Sequence, residues 1–120
     1  MTGIKEMVIN LSSGRVLVKD LIKADSFLRR LKGLIPYKGL EHGEGLLLTP
    51  CRSVHTCFMC FAIDVLYLDE NMTVIAAFSD VGPWRFLPGR KGTRQVLELP
   101  AGTLVATGTE KGHRLQFGRN

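Results

Sequence analysis

The sequence predicts an α+β domain, a predominantly antiparallel sheet curled into a partial barrel with one amphipathic helix packed on it. Three observations lead there. About seven short apolar runs each stop at Gly, Pro, Asn or Asp, the punctuation of strands joined by turns. A 3.6-residue period occurs clearly in only one place, between Ala24 and Ile35. At 120 residues, with 45% hydrophobic and 22% charged side chains, the chain is sized for a single domain, 1–120, around one core.

In chain order, Met7, Val8 and Ile9 and then Val16, Leu17 and Val18 flank the turn Ser12-Ser13-Gly14-Arg15, which makes a β-hairpin. Phe27, Leu28, Leu31, Leu34 and Ile35 fall on one helical face opposite Arg29, Arg30 and Lys32. Asp25 or Ser26 can cap this helix and Gly33 can end it, so its body spans about 25–33. Pro36 to Gly45 is a glycine-rich connection, and Gly45-Leu46-Leu47-Leu48-Thr49 is a short buried strand stopped by Pro50. Val54–Phe61 and Ile63–Leu68 read as strands, with the former buried on both faces. The turn Asp69-Glu70-Asn71 returns the chain antiparallel through Met72–Phe78. Val81–Thr93 is a long loop, Gln95–Leu99 a strand, Ala101–Ala106 a turn or two of helix, and Arg114–Phe117 a last strand.

Several separated segments together resemble a known family. Lys32-Gly33-Leu34-Ile35, Gly45-Leu46-Leu47-Leu48, His55-Thr56, Ala62-Ile63-Asp64-Val65-Leu66-Tyr67-Leu68-Asp69, Pro83-Trp84-Arg85 and Val96-Leu97-Glu98-Leu99-Pro100-Ala101-Gly102 stand in the order and spacing of the domain-of-unknown-function family 192. The likeness runs from about residue 24 to 117 and implies a compact β-rich α+β domain, with no established activity and no agreed catalytic residues. Members similar to it carry an aromatic where Cys57 stands, a basic residue where Cys60 stands and proline where Ala62 stands. His55, Asp64 and Glu98 are the matched polar positions.

Composition narrows the function classes. No run reaches the roughly 20 apolar residues that span a bilayer. Glu6 interrupts the amino terminus before a secretory segment develops, so a cytoplasmic protein without membrane partners is expected. In that compartment three cysteines are expected as free thiols. The net charge of +5 favours anionic partners.

Cys51, His55, Cys57 and Cys60 are all zinc-ligand types within ten residues, and a Cys/His-bound structural metal is one reading. In extended chain, however, residues 57 and 60 point to opposite faces about 10 Å apart, which opposes chelation by that pair. Asp64 lies between Ile63 and Val65, where a carboxylate needs compensation. It either accepts backbone N–H groups at a kink near Ala62 or works with His55 as an acid/base pair of a small enzyme. Glu98 alternates outward, toward solvent. A Ser53/His55/Asp64 triad lacks a nucleophile elbow, and His42 and His113 sit in turns as surface residues.

The loop Pro83–Arg94 interleaves Trp84 with Arg85, Arg90, Lys91 and Arg94, and between Asp80 and Glu98 there is no acid. Such a loop can stack on a base or hold a phosphate, a sugar acid or an acidic peptide. Its bland alternative is Trp84 folded onto the core with the charges solvated. The leading expectation is a non-catalytic binding domain, without a cofactor, that accepts a small anionic ligand or acidic protein partner at this loop. Nucleic acid is a weaker candidate.

Overall fold

Strand pairing begins at a side chain that the sequence pattern does not single out. Asn10 is fully buried, and its Oδ1 accepts the N–H groups of Ser12 and Ser13 at 2.8 and 3.1 Å. That closes the turn between β1 (Glu6–Asn10) and β2 (Arg15–Val18), with Gly14 at φ 74° where a side chain would be strained. The structure is a computed structural model that describes residues 6–24, 40–56 and 61–119. The helix expected at about 25–33 therefore lies outside the described residues, as do Cys57 and Cys60.

A five-stranded sheet forms the middle layer. Its order is β3 (Asp20–Ala24), β4 (Glu44–Leu48), β9 (Gln95–Pro100), β6 (Ile63–Leu68) and β7 (Val74–Val81). Only β3 and β4 run parallel. Every residue of β6 is buried, as its nearly unbroken apolar run requires of a strand covered on both faces. On one face, Leu47, Leu66, Leu68, Leu97 and Leu99 pack with Val8, Leu17, Val18 and Leu115 of the three-stranded sheet formed by β1, β2 and β10 (Leu115–Arg119). The helix α1 (Thr103–Thr107) adds Leu104 to that cluster. On the other face, Leu46, Leu48, Ile63, Val65, Tyr67 and Val96 pack with Cys51, Val54 and Leu87. Val54 and Leu87 come from a two-stranded ribbon of β5 (Val54–His55) and β8 (Phe86–Leu87). Fully burying each leucine or valine contributes about 1.5–3 kcal/mol before entropy is charged against it.

The first hairpin, the β6–β7 hairpin, the short helix after Pro100 and the final strand stand where the sequence places them. Four expectations change. The described strands form three sheets, none closed into a barrel: the ribbon and the three-stranded sheet cover the middle sheet face to face, and a bridge from Thr73 to Arg114 joins the β7 edge to the three-stranded sheet. In the run Val54–Phe61, the described strand is only Val54–His55, and the strand buried on both faces is β6. The loop Val81–Thr93 contains β8. Glu98 is 1% exposed rather than solvated. Alternation along β9 puts it on the same face as Val96, opposite Leu46 and Val65, and that face is covered.

Candidate functional site

Thr56 follows β5 directly and is fully buried. Its N–H donates to the Arg85 carbonyl at 2.8 Å, and its carbonyl accepts the Trp84 N–H at 3.1 Å. Its hydroxyl donates to the Gly82 carbonyl at 2.6 Å and accepts the Arg85 N–H at 2.8 Å. One threonine thus ties down the turn Gly82–Arg85 from inside, and it is the residue the sequence reading missed. His55-Thr56 stands among the segments of the family resemblance, but nothing local gives this Thr a role; only the tertiary pairing of β5 with β8 makes it a clamp.

The clamp sets what the turn shows to solvent. Register pairs Val54 with Leu87 and His55 with Phe86 across the ribbon. Val54 and Leu87 face the core, so His55 and Phe86 share the outer face. Their ring centroids are 5.6 Å apart at 44°. Phe86 is 76% exposed and Trp84 65% exposed, so Trp84 is not folded onto the core. Trp84 also has φ 62°, a left-handed conformation that a bulky residue enters at a cost of about 1 kcal/mol or more. His55 is half-buried, and its Nδ1 is shielded from solvent with no hydrogen-bond partner among the described residues.

The cations of the segment are held differently from one another. The Arg90 guanidinium lies 5.5 Å over the Phe78 ring. Phe78 meets Tyr67 edge-on at 5.1 Å, and the Tyr67 hydroxyl donates to the Leu87 carbonyl at 2.8 Å, so the base of the loop is anchored to the core. Burial pushes the Tyr67 hydroxyl above its ordinary value of 10.0. Arg94 lies 3.8 Å from Glu70 in an exposed pair of little energetic weight. Arg85 and Lys91 are exposed and make no ion pair among the described residues. The backbone of Arg52 runs beside Gly89, where a Cβ would lie 3.3 Å from the Arg52 carbonyl, which brings a further exposed cation to this side of the molecule.

Asp64 is fully buried, and both its oxygens are used by backbone. Oδ1 accepts the Asp80 N–H and Oδ2 the Leu104 N–H, each at 2.8 Å. Opposite Asp64 the register of β7 slips, with Ile63 against Val81 but Val65 against Phe78, and the carboxylate fills that bulge. Its other acceptor end supplies the start of α1, whose Gly102 has no side-chain cap to offer. The donors come from β7 and α1, not from a kink at Ala62. Asp64 faces the Leu66/Leu68/Leu104 side of the middle sheet, whereas His55 sits on the ribbon over the other side. The described structure therefore brings together neither an Asp64/His55 acid–base pair nor a Ser53/His55/Asp64 triad. Of the metal-ligand types, Cys51 is buried with its thiol donating to the Ser53 carbonyl at 3.1 Å, and the described residues contain no ligand cluster; Cys57 and Cys60 lie outside them. His42 is exposed as expected, but His113 is half-buried, with Nδ1 3.1 Å from Asn10 Nδ2.

Comparison with known proteins extends these observations. The family model DUF192, described as "Uncharacterized ACR", matches residues 8–117. A UPF0127 protein of Thermococcus kodakarensis is 31% identical over 92% of this chain and 73% of its own length. One of Pyrococcus furiosus is 31% identical over 93% of this chain and 98% of its own. Among solved structures, a protein of unknown function from Novosphingobium aromaticivorans superposes with a TM-score of 0.75 at 21% identity, covering 94% of this chain and 84% of that one. A proposed transcription regulator from Sinorhizobium meliloti gives 0.73 at 23% identity, over 95% and 92% of the two chains. These structural likenesses support the layered fold.

Proposed function

We propose that this chain, which belongs to the DUF192 family, is a small non-catalytic binding domain that receives an anionic ligand or partner at the Trp84–Arg94 segment. The observation that carries this reading is the Thr56 clamp. It holds Trp84 and Phe86 out in solvent on either side of Arg85, on a backbone with little freedom left to lose on binding. Exposed rings on a clamped backbone, beside Arg85 and Lys91 that make no ion pair among the described residues, are costly to keep and useful for recognition, whereas a merely solvated loop needs neither.

Replacing Arg85, Arg90, Lys91 and Arg94 together by alanine is expected to lower the salt concentration at which the protein leaves a heparin column, with little change in melting temperature. A control that removes the same charge elsewhere, Arg15, Lys19, Lys111 and Arg114 to alanine, uses four exposed positions of the chain. Equal elution of the two variants would mean that net charge alone governs retention and that the segment is not a site.

A further inference from the structure

The two exposed rings and the cation between them have a more specific complement than a bare anion. We propose that the outer face of the ribbon, Phe86 with His55 beside it, together with the exposed Trp84 of the preceding turn, stacks a nucleobase while Arg85 and the cations following it hold the phosphate that the base carries. This deepens the binding reading above and rests on it. Rings held upright on a strand pair stack on unpaired bases of any sequence, and a basic flank tracks the phosphate.

Three features of this site favour that chemistry. Phe86 and His55 are cross-strand partners with centroids 5.6 Å apart, so the face carries a pair of rings in fixed register, with Trp84 two residues before Phe86. Trp84 occupies φ 62°, where glycine would be the cheaper residue, and its side chain is still 65% exposed. Arg85, between the rings in sequence, and Lys91 make no ion pair among the described residues and are available to a phosphate. A bilayer surface is the less fitting occupant, because Val81 and Leu87, the aliphatic neighbours of the turn among the described residues, are turned into the core and add no wedge to the rings. A duplex is less fitting as well, since its bases are already stacked on one another.

Trp84 is the sole tryptophan, so its emission reports on this turn alone. With the full chain, a single-stranded 12-nucleotide oligomer is expected to quench that emission saturably, and a duplex of the same sequence to bind more weakly without quenching. A free mononucleotide that quenches as well, with the oligomer competing no better per site, would identify a nucleotide and not a strand as the source of the base. By anisotropy of a labelled oligomer, Trp84→Gly and Phe86→Ala are each expected to weaken binding by about tenfold. Both should leave elution from heparin nearly unchanged. Trp84→Gly removes the strained backbone requirement and should not unfold the protein, which keeps the result interpretable. Unchanged oligomer affinity in both ring variants, with heparin retention intact, would overturn stacking while sparing the anionic site. A blue shift with phosphatidylserine vesicles and no quenching by any nucleotide would overturn it in favour of a membrane surface. Loss of all polyanion binding in the parent would end both readings together.

Discussion

Both oxygens of Asp64 are committed to backbone N–H groups, one in β7 and one in α1, which makes it a structural residue whose removal is felt in two elements at once. In Asp64→Asn the amide NH2 must face either the Asp80 or the Leu104 N–H, so one acceptor is lost and two donors oppose each other. A loss of about 3 kcal/mol is expected in urea unfolding. A variant within about 0.5 kcal/mol of the parent, the range of an ordinary surface substitution, would remove this role. Tyr67 poses the matching question in a hydroxyl. Burial raises its titration above 10.0, so the folded state retains the proton where the unfolded chain begins to release it. Its contribution is fully present below pH 10 and declines as pH climbs from there through the raised folded value. Tyr67→Phe removes the bond to Leu87 and is expected to be less stable than the parent by about 1 kcal/mol at pH 8. The difference should narrow above pH 10, and a gap constant from pH 8 to 11 would contradict the burial of that hydroxyl.

Among the elements, close approach of backbone is as decisive as apolar burial. Gly45 in β4 lies against β2, and a Cβ built there would stand 2.6 Å from Val18 Cγ2 and 3.4 Å from Leu99 Cδ2. Val18 is fully buried and has no room to retreat, so Gly45→Ala is expected to destabilise by about 2 kcal/mol, seen as a lower urea midpoint with unchanged slope. A neutral effect would mean that the two sheets are less tightly apposed. The long strands were legible because their apolar runs are long and bounded by turn residues, as in Ile63–Leu68 before the Asp69 turn. The ribbon was not, since strands of two residues have no period to read, and Pro83, Pro88 and Gly89 mark the same stretch as loop. The basic loop was therefore found by composition. Its geometry, and the part of Thr56 in it, depended on a pairing between residues about thirty positions apart that no local signal announces.

At the scale of the molecule, one sheet serves two cores, and this explains both the misread residue and the expected cooperativity. Alternation in β9 suggests one wet face and puts Glu98 there, but Leu97 and Leu99 pack toward the three-stranded sheet while Val96 packs toward the ribbon. Layering decides the matter, and layering is not written in any single strand. Because β6 and β9 contribute side chains to both clusters, loosening one face withdraws support from the other. Leu87 tests this from the thinnest layer. It is buried, it belongs to the ribbon, and its carbonyl receives the Tyr67 hydroxyl from the middle sheet. Leu87→Ala is expected to lower stability by about 2–4 kcal/mol. Trp84 emission, which reports on the ribbon, and far-ultraviolet circular dichroism, which reports on the sheets, should move to the same new urea midpoint. If the emission transition alone shifts, the ribbon opens separately from the sheet beneath it, and the Thr56 clamp would then be too weakly supported to hold the exposed rings in place.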